Sequence, residues 1–312
     1  MAKKQRRRVD ISLVIPVYNE EKNLLYLYRN INRALHDYHG EYEIIFIDDG
    51  SSDGSLAVLQ GLAREKDIRI VEFQTNYGKS AALTAGFKLA QGGLVITMDA
   101  DLQDDPAEIP RFLDEIRHCD VVVGWKYRRK DPLSKTIPSR FFNYSIALLT
   151  KIRIHDSNCG FKAFRRRVIE NIQIYGELHR YIPVLAFWKG FEVREMKIRH
   201  HPRIYGKSKY GIGRLFKGFL DLITVKFLIS YGQSPFYLFG GIGIIFSVIG
   251  FILGVYLTTL KVLVGASIGR RPLLIFTMLL LVLGVQFIGI GLLGDMVSYQ
   301  REKEQYIVKR II

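Results

Sequence analysis

The chain has 312 residues, with 45 Lys and Arg against 30 Asp and Glu, giving a formal net charge of +15. Its mean hydropathy of +0.09 is too high for an ordinary soluble enzyme, and its length allows one large domain or two. Cys119 and Cys159 are the only cysteines, which implies no disulfide framework and fits a reducing compartment.

Met1–Val9 carries Lys3, Lys4, Arg6, Arg7 and Arg8, but no apolar core of the signal-peptide kind follows. Residues 1–211 are therefore expected to stay in the cytoplasm. Asp10–Tyr18 reads as a first strand, and Asn19 is placed to cap a helix with Leu24, Leu27, Tyr28, Ile31 and Leu35 on one face. Strands at Glu43–Ile47, Ile68–Phe73, Leu94–Met98 and Asp120–Gly124 alternate with helices at Ser55–Lys66, Gly78–Ala90 and Pro106–Arg117. This alternation predicts an α/β fold with a mainly parallel, doubly wound sheet. A helix is expected near Ser139–Lys151, and a second α/β portion over roughly residues 156–200.

Ile212–Tyr231 mixes Arg214, Lys217, Asp221 and Lys226 with many apolar residues, the pattern of helices lying on a bilayer. Phe236–Leu260 and Pro272–Gly294 are charge-free runs of 25 and 23 residues. Each is long enough as a helix to cross a hydrocarbon core of about 30 Å. Their glycines fit close helix packing in lipid. The expected organisation is a catalytic domain over 1–211, juxtamembrane amphipathic helices over 212–235, and a two-span hairpin with a cytosolic tail over 236–312. Lys261, Arg270 and Arg271 between the spans run against the positive-inside tendency, but the tail and the large basic domain outweigh them. The basic clusters at Lys126–Arg140, Lys162–Arg167 and Arg194–Lys209 fit an anionic membrane surface more simply than nucleic acid.

Asp99-Ala100-Asp101-Leu102-Gln103 follows the strand Leu94–Met98. On extended backbone Asp99 and Asp101 would point the same way, just past the strand's carboxyl end. Open α/β sheets bind ligands there, and two hard oxygen donors suit Mg²⁺ or Mn²⁺ on a diphosphate. A solvated acidic turn is the plain alternative. Pro16-Val17-Tyr18-Asn19-Glu20 and Asp48-Asp49-Gly50-Ser51-Ser52-Asp53 fall at the same expected edge. Asp49 could accept from a pyrimidine ring N–H and Tyr18 could pack on the base, while Asn19 and Ser52 cap helices. Asn76-Tyr77-Gly78-Lys79-Ser80 lacks the earlier glycine of a P-loop, since Phe73 occupies that place, yet a helix N-terminus beside Lys79 still suits an anion. His155, His179, His200 and His201 have no closed zinc spacing and are expected to be solvated or to face headgroups.

Together these segments resemble the GT-A glycosyltransferases of family 2. The Asp-Ala-Asp-Leu-Gln-Asp form, Asp156–Lys162 and His201–Tyr210 are most similar to the polyprenyl-phosphate sugar synthases, the dolichol-phosphate mannose synthase group and its bacterial glucosyl relatives. The resemblance implies nucleotide contacts at Pro16, Tyr18, Glu20 and Asp49, with Asp48 and Lys79 beside them. It implies a metal site at Asp99, Asp101 and Gln103. Arg128 and Arg140 are the candidates for the acceptor phosphate, and Arg203 and Lys209 for closing over the donor diphosphate. Asp156 is expected in the active site, as a positioning group, a base or a turn cap. The implied reaction is inverting transfer of a hexose onto a membrane polyprenyl phosphate, with UDP-glucose the first donor, GDP-mannose the second, and UDP-GlcNAc or an amino sugar left open. It implies an inner (plasma) membrane protein with a cytoplasmic catalytic domain, and a homo-oligomer, a tetramer in bacterial relatives. A processive polysaccharide synthase is disfavoured, because neither Trp125 nor Trp188 ends a Gln-x-x-Arg-Trp motif. A nucleotide-sensing membrane adaptor is the rival from a different class.

Overall fold

The computed structural model describes residues 9–64, 68–127, 154–201 and, with short breaks, 223–301. The chain divides into two compact units, Met1–Val225 and Lys226–Ile312.

In the first unit, β1 (Ile11–Val17), α1 (Glu21–Ala34), β2 (Tyr42–Asp48), α2 (Ser55–Leu62), β3 (Ile68–Glu72), α3 (Lys79–Leu89) and β4 (Leu94–Thr97) alternate as expected. A 3₁₀ turn at Pro106–Glu108 leads into α4 (Ile109–Glu115), and β5 (Val121–Lys126) follows. The second α/β portion supplies β6 (Lys162–Arg165), α5 (Arg166–Asn171), a 3₁₀ turn at Leu178–Tyr181, α6 (Ile182–Trp188) and β7 (Val193–Ile198). The helix expected near Ser139–Lys151 lies outside the described residues, as does most of Ile212–Tyr231.

The strands form one sheet in the order β3-β2-β1-β4-β6-β5-β7. Only β6 runs antiparallel, between β4 and β5. The chain builds outward from β1 to β3, then returns to lay β4 on the other side of β1. That reversal is the point at which doubly wound sheets open a crevice at their carboxyl edge. Pro16 sharpens it. The β1–β4 pairing runs from Ile11↔Leu94 to Val14↔Thr97, and Met98 N donates the last bond to Val14 O at 3.4 Å. Residue 16 would next face β4, but proline has no N–H to donate. The ladder stops and the two strands part.

Both faces of β1 are covered. Ile11, Leu13, Ile15 and Val17 join Leu24, Leu27 and Ile31 of α1 and Phe112 of α4 in the main core cluster. Phe112 stacks on Phe161 with centroids 4.2 Å apart. On the opposite face Val14 and Ile47 meet α3 at Gly86, where a Cβ would lie 3.0 Å from Ile47 Cδ1. A strand buried on both sides reads as a nearly continuous apolar run, and Ile11–Val17 is broken only by buried Ser12, whose Oγ donates to Glu43 Oε1 at 2.6 Å.

In the second unit, α7 (Phe236–Val264) and α8 (Pro272–Arg301) form a hairpin. Phe236–Val264 and Pro272–Ser298 are each long and apolar enough to cross a membrane. A Cβ on Gly243 would meet Gly284 O at 2.6 Å, and one on Gly250 would meet Leu281 Cγ at 2.9 Å, so glycine sets how closely the helices approach. Outward positions such as Ile245, Phe251, Val285 and Leu293 are exposed apolar side chains. Asp295 accepts a bond from Phe236 N at 3.1 Å, which satisfies one orphan donor at the start of α7.

Candidate active site

Four loops meet at the carboxyl edge of the sheet. The first follows β1. The sequence places Asn19 as the cap of α1, but Asn19 does not cap that helix. It adopts a left-handed φ of 55°, and Glu20 takes the cap position without a side-chain cap bond. Asn19 Oδ1 instead accepts from Ser52 N at 2.7 Å, and Asn19 N donates to Ser51 Oγ at 2.9 Å. Glu20 N donates to Ser55 Oγ at 2.9 Å. Nor does Ser52 cap α2, whose cap position is Gly54; Asp53 Oδ1 accepts from Ser55 N at 2.9 Å. The polar residues of both loops thus tie the loops to each other. Tyr18 and Glu20 sit half-buried at this junction, next to half-buried Pro16.

The second loop opens with Asp48 and Asp49, both buried. Asp48 Oδ1 accepts from Ser51 N at 3.3 Å and shapes the turn. Asp49 reaches the third loop, where its carboxylate accepts from Tyr77 N at 2.7 Å and Gly78 N at 2.9 Å. Gly78, at φ 90°, turns its amide toward that carboxylate in a conformation a side chain would strain. Burial pushes the Asp49 pKa up, against these two backbone donors. The carboxylate expected to meet a pyrimidine therefore anchors the loop that starts α3, and Lys79 follows at once.

The fourth loop carries the paired carboxylates. β4 ends at Thr97, and residues 98–103 turn rather than extend, with Leu102 at φ 59°. The expected extended presentation of Asp99 and Asp101 is thus replaced by a tight loop. Asp101 Oδ1 accepts from Gln103 N at 3.2 Å. Asp99 forms an ion pair with Lys79. Burial would raise the Asp99 carboxyl, but Lys79, with Lys126 and Lys162 behind it, outweighs that and holds it at about 2. Gly160 backs it closely, since any Cβ there would run into the Asp99 carboxylate.

Several contributors were given no role in this site by the sequence. Lys162 is buried, and its Nζ donates to Cys159 O. Burial, with Lys79 nearby, pulls its pKa down to about 8. Lys126 lies 2.9 Å from the buried Asp104 carboxylate. His179 is buried with Nδ1 3.0 Å from Ser80 Oγ, and burial beside Lys79 and Arg180 keeps it neutral. A lone lysine within the apolar run Phe161-Lys162-Ala163-Phe164 was the available signal for Lys162.

These positions take one lysine from each of two basic clusters, and one histidine, away from the open surface. Lys162 is buried, Lys126 is half-buried against the buried Asp104, Arg167 Nε donates to Asp120 at 3.0 Å, and His179 is buried rather than solvated. His155 is exposed as expected and stacks on Trp125, centroids 4.1 Å apart. His201 is exposed too, 3.1 Å from Asp105. Asp156 is buried; its backbone O accepts from Cys159 N at 3.3 Å and its N donates to Glu195 Oε1 at 3.2 Å. Arg128, Arg140, Arg203 and Lys209 lie outside the described residues.

Asp99, Asp101 and Gln103, all with hard oxygen donors, share one short loop, with Lys79 paired to Asp99. Among the described residues no group of three His, Cys, Asp or Glu is assembled to enclose a metal by itself. Two carboxylates and an amide suit Mg²⁺ or Mn²⁺ that takes its other ligands from a substrate diphosphate and water.

The family model for glycosyl transferase family 2 matches residues 12–173. The chain is 38% identical over 318 residues to a dodecaprenyl-phosphate galacturonate synthase from Rhizobium johnstonii, covering 97% of this chain and 93% of that protein. It is 34% identical over 310 residues to an undecaprenyl-phosphate 4-deoxy-4-formamido-L-arabinose transferase from Pseudomonas paraeruginosa, covering 97% and 90%. The fold is shared with glucosyl-3-phosphoglycerate synthase from Mycobacterium tuberculosis, solved with Mn²⁺, UDP and glucosyl-3-phosphoglycerate. That match has a TM-score of 0.57 at 17% identity, over 74% of this chain and 84% of that one. The chain belongs to glycosyltransferase family 2, and it is a membrane-associated glycosyltransferase.

Proposed function

We propose that this enzyme moves one sugar from a nucleotide donor onto a polyprenyl phosphate at the membrane surface. The observation that carries the reading is the meeting of Pro16–Glu20, Asp48–Asp53, Asn76–Lys79 and Asp99–Gln103 at one sheet edge. Relatives named for polyprenyl-phosphate acceptors align with nearly the whole chain, hairpin included. Their names carry galacturonate and formamidoarabinose. UDP-glucose, the donor expected first from the sequence, has no support among them, so a uronic acid or an arabinose-type amino sugar becomes the first donor to test.

Tyr18 and the Asp49-anchored loop would frame the nucleotide, and Lys79 would face its diphosphate. Asp99, Asp101 and Gln103 would hold Mg²⁺ or Mn²⁺, which supplies charge neutralisation for the departing diphosphate. The acceptor oxygen is already anionic, so the chain has to align it rather than deprotonate it. Asp156, buried and tied into its own turn, fits positioning better than proton abstraction. Arg128 and Arg140 remain the candidates for the acceptor phosphate, and Arg203 and Lys209 for the donor diphosphate.

The deciding assay combines purified protein, polyprenyl phosphate and Mn²⁺ with labelled UDP-galacturonate, UDP-4-deoxy-4-formamido-arabinose, UDP-glucose or GDP-mannose. Organic-extractable label is expected from one of the first two. Bound nucleotide without transfer from any donor would return the chain to the sensing-adaptor reading.

A further inference from the structure

The loop after β4 is held more firmly than its own turn requires. Leu102 adopts a left-handed backbone, which strains a residue with a Cβ and persists only where surroundings impose it. Two sets of contacts do so. Asp104 forms an isolated antiparallel bridge with His200, and His201 N donates to Gln103 O at 2.9 Å. Lys126, the last residue of β5, lies 2.9 Å from Asp104 Oδ1, with side-chain exposures of 14% and 0%. β7 pairs with β5 at Lys126↔Ile198, so the bridge to His200 and the ion pair both secure the loop to one strand pair.

We infer that Asp104 and Lys126 are positioning residues, a buried ion pair that sets the geometry in which Asp99, Asp101 and Gln103 meet a metal–diphosphate. This inference rests on the donor-site reading above. A buried ion pair is a poor source of stability, because desolvation of two charges offsets their attraction, and apolar replacements are often neutral or better. What such a pair supplies is a fixed distance between two elements. Here the elements are the metal-binding loop and the strand at the centre of the β6-β5-β7 half of the sheet.

The test uses full-length protein in detergent. Mn²⁺ binding is followed by electron paramagnetic resonance with UDP present, alongside thermal melting. In the Asp104→Asn, Lys126→Met double variant, melting is expected near that of the wild type. The Mn²⁺ concentration for half-saturation should rise about tenfold or more, the usual scale for removing an orienting partner of a metal ligand. Lys126→Arg, which keeps the charge, should restore most of the affinity. Should the double variant fail to fold, Asp104→Asn alone, nearly isosteric, is read in the same way. Wild-type Mn²⁺ affinity in a folded double variant, or in Asp104→Asn, overturns the inference. Failure of the wild type itself to bind Mn²⁺ with UDP is a distinct outcome, which removes the donor-site reading and this inference with it.

Discussion

Burial pushes the Asp99 carboxyl up, and the charges of three lysines from three different elements, Lys79 in contact with it, hold it below the usual range. Lys79 comes from the start of α3, Lys126 from β5 and Lys162 from β6, so none of this field is visible in the local sequence around Asp99. The two carboxylates of the loop have different neighbours: Asp99 meets Lys79, whereas Asp101 turns back to its own loop at Gln103 N. Asp101→Ala is expected to lower transfer by about 10²-fold or more, since it removes preorganised charge at the leaving group. Circular dichroism should be unchanged, and near-normal turnover would end the metal role. Gly160→Ala tests the opposite side of the loop. Its Cβ would run into the Asp99 carboxylate, so Mn²⁺–UDP affinity should fall while the core melts normally. Unaltered affinity would show that Asp99 can move without cost. Asn19 shows why some residue roles were misassigned from the sequence. A side chain that suits a helix cap also suits a bond to a loop 33 residues away, and only the spatial neighbour Ser52 decides.

Strand β6 is the element that converts a simple parallel sheet into this site. It runs antiparallel between β4 and β5, so its first residues lie at the same edge as the last residues of β4. Thr97 pairs with Lys162, and Thr97 Oγ1 donates to Gly160 O at 2.8 Å. That placement forces a lysine into the sheet interior. Its pKa of about 8, depressed chiefly by burial, lies below the ordinary 10.5 of the unfolded chain. Between these two values the unfolded chain binds more protons than the folded one, so this residue adds stability as pH rises through that window. Melting temperature measured from pH 7.5 to pH 10 should therefore climb more steeply in the wild type than in Lys162→Met. Equal slopes would show that Lys162 is not forced toward its neutral form. The alternation of strands and helices was legible because both periodicities are local. The antiparallel sense of β6 was not, because a four-residue strand carries no directional signal.

At the scale of the molecule, one unit carries the carboxyl-edge site and the other a glycine-packed apolar hairpin. The exposed apolar face of that hairpin has no place in water and fits lipid. Removing residues 232–312 should release the protein from vesicles in a flotation assay and lower turnover of a lipid-borne acceptor. Undiminished turnover by the truncated protein would mean that the hairpin does not deliver the acceptor.

The order of strands and helices, the apolar spans and the motifs Pro16–Glu20, Asp48–Asp53 and Asp99–Gln103 were determined by the sequence alone, because each is written in neighbouring residues. Only the tertiary structure decided that Asp49 anchors the Tyr77–Gly78 loop, that Asn19 joins two loops, that Lys162 is buried and that Lys126 meets the buried Asp104. The reason is physical. A carboxylate or an ammonium has no fixed role until folding decides which charge or N–H stands beside it, and how much water remains.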